Sequence, residues 1–193
     1  MAPASEAAPA LADAEVHVWA ARLERNSLAE RRAVLRAILS SYTGCDARRF
    51  ELRAAPGGKP ELVQPPGVPA LELSWSSSGE LAVFAIARGR RVGADVERVR
   101  AVHDPVELAH SALSEHDRTM LAAMPESRRH ETFLSRWTET EAYLKARGVG
   151  LAGLGEAPPA GETWSIRPLS LGGEYVGAIA AEGVGWTLRC RRW

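Results

Sequence analysis

Gly93-Ala94-Asp95-Val96-Glu97 and, farther along, Trp137-Thr138-Glu139-Thr140-Glu141-Ala142-Tyr143-Leu144-Lys145 are the two stretches from which this 193-residue chain is best read. Alternation in the first predicts a strand, with Asp95 and Glu97 on one face and Val92, Ala94 and Val96 on the other. The second predicts a helix on which Trp137, Glu141 and Lys145 recur every fourth position, about 6 Å apart along the axis. Glu141 falls between Leu134 and Trp137, in a stripe that also holds Phe133 and Leu144. A carboxylate in that position requires a cation, a metal or a strong donor opposite it, because burying it unpaired is costly or forces it to protonate. Asp95 and Glu97 carry the same charge and cannot serve. Three carboxylates drawn together imply a divalent cation, and an all-oxygen donor set suits Mg²⁺ beside a phosphate. Each spacing alone is commonplace, a solvated strand edge or an i,i+4 ion pair on an amphipathic helix. Their joint occurrence in this order points to a site.

Around these stretches the pattern predicts an α+β fold. Residues 1–14 are rich in Ala and Pro and read as a disordered tail, with order starting near Glu15 and an extended segment at Val16-His17-Val18-Trp19-Ala20. Ser27 or Asn26 caps a helix whose Leu28, Val34, Leu35, Ile38 and Leu39 recur at helical spacing as far as Gly44. A short strand at Phe50-Glu51-Leu52 precedes a loop from Pro56 to Pro69. Strands follow at 71–75, 81–87 and 92–97, the last two joined as a hairpin through Arg88-Gly89-Arg90. Helices are predicted at 105–113, 114–123 and 126–146, stopped by Gly148, Gly150 and Gly153, and three strands close the chain at 163–169, 174–181 and 185–190.

Lys+Arg and Asp+Glu both number 24, so the formal charge is zero and no general attraction to nucleic acid follows. Arginines still cluster locally, at Arg31-Arg32-Arg36, Arg48-Arg49, Arg88-Arg90-Arg91 and Arg189-Arg191-Arg192, where one or two could meet an anionic ligand or an acidic partner. Cys45 and Cys190 lie far apart, without the spacing of a zinc site or a disulfide framework. The first residues lack the basic start and apolar core of a signal peptide, and no run of apolar residues is long enough to span a membrane, so the expected location is the cytoplasm.

The two stretches together resemble the Sfp-type 4′-phosphopantetheinyl transferases, whose G-x-D-x-E strand is followed by a W-[ST]-x-K-E-[AS]-x-x-K helix. Three further segments fall in that family's order: Gly58-Lys59-Pro60 is similar to its G-K-P turn, Leu73-Ser74-Trp75-Ser76 to its L-S-H-S segment, and Gly148-Val149-Gly150-Leu151 to its glycine loop. The resemblance implies two similar halves related by a pseudo-twofold axis, each a small antiparallel-rich sheet on a long helix, with coenzyme A held between them. The halves would be residues 15–90 and 91–193, the second carrying the metal site.

The activity so implied moves the 4′-phosphopantetheine arm of coenzyme A to a serine of an apo acyl or peptidyl carrier protein, with Mg²⁺, releasing 3′,5′-ADP. Asp95, Glu97 and Glu141 would then ligate Mg²⁺, with Glu141 also deprotonating the serine and Lys145 contacting the phosphates. Lys59 and Pro60 would wall the adenine, and Ser74 would face the 3′-phosphate. A monomer would suffice. The chain departs from the family at Trp75, where histidine is usual, at Thr140, where lysine is usual, and in the missing basic segment ahead of the first helix. An indole offers one donor and no charge, so Arg25, Arg31 and Arg32 are the remaining cations for the 3′-phosphate. These departures equally suit a relative that binds a carrier protein or coenzyme A and transfers nothing.

Overall fold

The computed structural model describes residues 10–54, 60–156 and 158–193. Among them stand the strands β1 (Glu15–Arg22), β2 (Glu51–Ala54), β3 (Pro60–Val63), β4 (Glu72–Ser78), β5 (Leu81–Ala87), β6 (Val92–Arg98), β7 (Trp164–Pro168), β8 (Tyr175–Glu182) and β9 (Thr187–Arg192). The α-helices are α1 (Leu28–Thr43), α2 (Pro105–Ala112), α3 (Glu115–Ala123) and α4 (Glu126–Arg147). The mixture is α+β, and none of the described helices is long and apolar enough to cross a membrane.

Two sheets form the centre. One runs β4-β5-β1-β9, the other β6-β8-β7, and β2 pairs with β3 in a small ribbon. Period-two alternation sorts the side chains into layers. Val16 and Val18 of β1, Val83 and Ala85 of β5, Val92, Ala94 and Val96 of β6 and Ile179 of β8 make one buried cluster between the sheets. Each fully buried valine or isoleucine there contributes on the order of 2 kcal/mol. The opposite side chains of the first sheet, Phe84, Ile86 and Leu73, are covered by Leu35, Ile38 and Leu39 of α1. The second sheet turns Ala178 and Ala180 toward Ala142 and Ala146 of α4.

α1 begins on Ser27, whose side chain accepts from the Glu30 amide while the Glu30 carboxylate accepts from the Ser27 amide. It ends on Gly44 in the left-handed region, where a side chain would be strained.

Three sequence expectations are corrected. β5 and β6 do not form a hairpin: β6 pairs with β8, and the turn at Gly89 carries the chain from one sheet layer to the other. The segment from Pro56 to Pro69 is not all loop, because Pro60–Val63 pairs antiparallel with Glu51–Ala54. Leu11, assigned to the disordered tail, is 6% exposed and belongs to the cluster beneath α1, where burial of its side chain holds the segment ahead of β1. In addition, β9 comes from the last residues yet pairs in parallel with β1, so the first sheet draws strands from both ends of the chain.

β4 and β6, the facing edges of the two sheets, are joined by side chains. Ser74 Oγ accepts from the Ala94 amide at 3.1 Å and Ser78 Oγ from the Arg98 amide at 3.0 Å. Serines four apart on one strand thereby satisfy amides four apart on the other, and these edge amides need no further strand.

His17, 1% exposed, closes another network. The Trp19 indole gives its proton to Tyr42 Oη at 2.9 Å, and because the Glu15 carboxylate beside Nε2 can only accept, Nδ1 of the neutral His17 ring accepts the Tyr42 proton at 2.8 Å. His17 is then the Nε2–H tautomer and donates to Glu15 at 3.2 Å, while Arg189 donates to the other Glu15 oxygen at 3.1 Å. Burial holds the His17 pKa below its ordinary value, outweighing the Glu15 partner. The unfolded chain therefore takes up a proton near pH 6.5 that the folded chain refuses, and stability is lost as pH falls through that region by at most about 1.4 kcal/mol per pH unit. Urea unfolding at pH 7.5 and 5.5 is expected to show this loss for the parent and a shallower one for His17→Gln; equal slopes would show that His17 does not carry it.

Candidate functional site

α4 lies close against β6 because nothing stands between their backbones. A Cβ built on Gly93 would come within 3.0 Å of the Ala142 carbonyl and the Ala146 amide, and Ala142, Ala146, Ala178 and Ala180 are the small side chains that line this contact. The helix phase then sets Glu141 and Lys145 beside the strand face that carries Asp95.

Lys145 is the centre of the arrangement. Its ammonium donates to Asp95 Oδ1 at 2.6 Å and to Ser76 Oγ at 3.3 Å, and lies 3.1 Å from Glu141 Oε2. Three N–H donors thus meet three oxygens. Burial alone would lower the Lys145 pKa, but Asp95 and Glu141 outweigh it and hold the group above its ordinary value. Asp95, 3% exposed, is pushed up by burial to about 6, with Lys145 acting in the opposite direction. Its Oδ1 also accepts from Ser76 Oγ at 2.7 Å, whereas its buried Oδ2 has no hydrogen-bond partner among the described residues. Glu97, farther along the same strand face, accepts from Ser78 Oγ at 2.8 Å.

The donor chemistry suits a hard divalent cation. Asp95, Glu141 and Ser76 all turn oxygens to one positive charge, and Asp95 Oδ2 is a buried anionic oxygen without a hydrogen-bond partner among the described residues. Among the described residues, however, no three acidic, histidine or cysteine side chains form a ready metal cluster. Asp95 and Glu141 meet at the Lys145 ammonium, and Glu97 is engaged by Ser78.

The other residues singled out in the sequence are placed as follows. Ser74 is 2% exposed, with its hydroxyl engaged by the Ala94 amide. Trp75 points to the α1 side of β4, edge-on to Phe84 with ring centroids 6.3 Å apart. Arg31 reaches from α1 to the same side of that strand, donating to Ser77 Oγ at 2.9 Å and to the Asn26 carbonyl at 2.7 Å. Arg25 is exposed in the turn before α1, and Thr140 donates to the Arg136 carbonyl of its own helix. Lys59 lies outside the described residues, and Pro60 is described only as the backbone start of β3.

Sequence reasoning assigned no role to Ser76 or Ser78, although alternate serines opposite Leu73 and Trp75 on one strand could have drawn attention to that face.

The model of the 4′-phosphopantetheinyl transferase superfamily matches residues 91–179, which contain β6, α4 and all of Asp95, Glu97, Glu141 and Lys145. The chain is 31% identical, over 80% of its length and 70% of the relative's, to the 4′-phosphopantetheinyl transferase HetI of Nostoc sp.. It is 34% identical to the L-aminoadipate-semialdehyde dehydrogenase-phosphopantetheinyl transferase of Eremothecium gossypii, over 70% of this chain and 52% of that protein.

Proposed function

Because this chain belongs to the 4′-phosphopantetheinyl transferase superfamily, we propose that it moves the 4′-phosphopantetheine arm of coenzyme A to a serine of an apo acyl or peptidyl carrier protein, in a Mg²⁺-dependent reaction. The observation that carries this reading is the Lys145 ammonium held between Asp95 and Glu141, with the second Asp95 oxygen buried and unpartnered.

In the reaction, the carrier serine oxygen forms a bond to the phosphorus bearing the pantetheine arm while the P–O bond of the diphosphate breaks, and 3′,5′-ADP leaves. Glu141, 24% exposed at its side chain, is open enough to receive the serine proton directly or through a water. Lys145, on the adjoining turn of the helix, steadies the departing phosphate. Asp95 and Glu141 would hold Mg²⁺, with Glu97 as a third oxygen ligand; the ion would supply neutralisation of the diphosphate charge. For the 3′-phosphate, Arg31 is the cation beside β4 that replaces the charge missing at Trp75. The protein would work as a cytoplasmic monomer.

Incubation with Mg²⁺, coenzyme A and several apo carrier proteins, read by intact mass, tests the proposal. The parent is expected to add the arm to the carrier serine, and Glu141→Gln to lose at least about 10²-fold in rate. A different outcome, carrier binding with no transfer by the parent, would favour the binding-only reading, which the packing of Trp75 against Phe84 in place of a phosphate-binding histidine supports.

A further inference from the structure

We propose that Ser76 is a positioning residue for transfer, its hydroxyl fixing Asp95 Oδ1 so that Oδ2 is kept for the Mg²⁺ ion; this rests on the reaction proposed above. β4 carries Ser74, Ser76 and Ser78 in a row along one face. Ser74 and Ser78 use their hydroxyls as acceptors for the Ala94 and Arg98 amides. Ser76, midway between them on the same face, instead gives its proton to the Asp95 carboxylate at 2.7 Å and accepts from Lys145 at 3.3 Å.

A hydroxyl has one proton, so donation to Asp95 settles its rotation and leaves its lone pairs toward the ammonium. Both donors then converge on Oδ1: Ser76 at 2.7 Å and Lys145 at 2.6 Å. Asp95 is thereby held by Ser76 from β4 and by Lys145 from α4, both at Oδ1, and the oxygen left without a hydrogen-bond partner among the described residues is Oδ2. A cation arriving at the site would meet the unpartnered Oδ2, and Ser76, bonded to Oδ1, is the donor that keeps Asp95 from rotating. Partners that orient a metal ligand in this way typically change metal affinity by about 10–100-fold when removed. Ser78 stands in the same relation to Glu97, at 2.8 Å, but also accepts the Arg98 amide, so its removal would mix positioning with loss of the seam. Ser76 accepts from no backbone amide among the described residues, which makes it the cleaner test.

The experiment compares the parent, Ser76→Ala, Ser76→Cys and Ser76→Thr. Mg²⁺ is titrated calorimetrically into protein saturated with coenzyme A, and transfer rate is followed against Mg²⁺ concentration. Ser76→Ala and the near-isosteric, weakly donating Ser76→Cys are expected to bind Mg²⁺ about 10–100-fold more weakly. At saturating Mg²⁺ they should recover kcat to within a few-fold with unchanged KM for the carrier, and Ser76→Thr, which keeps the hydroxyl, should restore the affinity. Parent-like Mg²⁺ affinity in Ser76→Ala and Ser76→Cys overturns the proposal, as does an equal loss in all three variants. A parent that binds Mg²⁺ but transfers nothing defeats the transferase reading alone, and the calorimetry still decides the role of Ser76. A parent that binds no Mg²⁺ overturns both.

Discussion

Gly93→Ala is expected to destabilise the protein by about 3 kcal/mol and to abolish carrier modification. The added methyl would meet the Ala142 carbonyl and the Ala146 amide, both backbone, and no rotamer change can move either aside. Gly93 is absent from the left-handed glycines, so the penalty is one of space and not of conformation. Relief requires α4 to rise from β6, and that movement separates Lys145 and Glu141 on the helix from Asp95 on the strand. For a chain of this length the melting temperature should fall by roughly 10 °C. Gly89→Ala provides the contrast, because its Cβ meets nothing within 4 Å and only its φ of +64° is unfavourable; its cost should be about 1 kcal/mol. A Gly93→Ala protein that melts with the parent and transfers normally would mean that helix and strand do not approach as described.

Lys145→Met should carry the second large effect. Methionine keeps the length and the apolar stem but leaves Asp95 and Glu141 facing one another with no cation between them. The Asp95 carboxyl should then titrate higher than about 6, since Lys145 is the principal group drawing its pKa down against burial. Removing one partner of a fully buried ion pair costs about 3–5 kcal/mol; with the Lys145 side chain 29% exposed, about 2 kcal/mol is the expected loss of stability. Transfer should drop by about 10²–10³-fold, the usual effect of removing a group that stabilises developing charge. Mg²⁺ alone should raise the melting temperature of the variant more than that of the parent, because two carboxylates without their ammonium demand a cation. A variant with parental rate, parental melting temperature and no added response to Mg²⁺ would remove Lys145 from the site.

The regular elements around the site could be read from spacing because they obey a single period. Glycine at 44 and 148 stops helices where the helical repeat ends, and the alternation of Val92, Ala94 and Val96 against Asp95 marks the two faces of β6. The stacking of β5 and β6 could not be read in the same way, because two apolar strands joined by a glycine turn carry one signature whether they pair side by side or lie in different layers. β3 escaped because it is four residues long, starts on proline and sits in a stretch dense in turn residues. At the site, the position of Glu141 on the helix predicted a counter-charge opposite it, and the cation found beside it, Lys145, comes from its own helix, one turn on. The close approach at Gly93 was hidden for a simpler reason: the absence of a side chain leaves no period to detect. Hydroxyl roles such as those of Ser76 and Ser78 depend on which strand edge lies opposite, and that is decided by tertiary packing alone.

The parallel pairing of β1 with β9 sets a timetable for biosynthesis. β9 (Thr187–Arg192) is made long after β1 (Glu15–Arg22), so the edge of β1 that it covers stays bare through the synthesis of everything between them. During that interval the half-made sheet offers unsatisfied amides and carbonyls to any neighbouring chain, and its closure waits on a contact of very long sequence separation, the kind that slows folding and invites aggregation. This sheet therefore closes only once β9 has been made, and until then chaperone demand should concentrate on the open edge of β1.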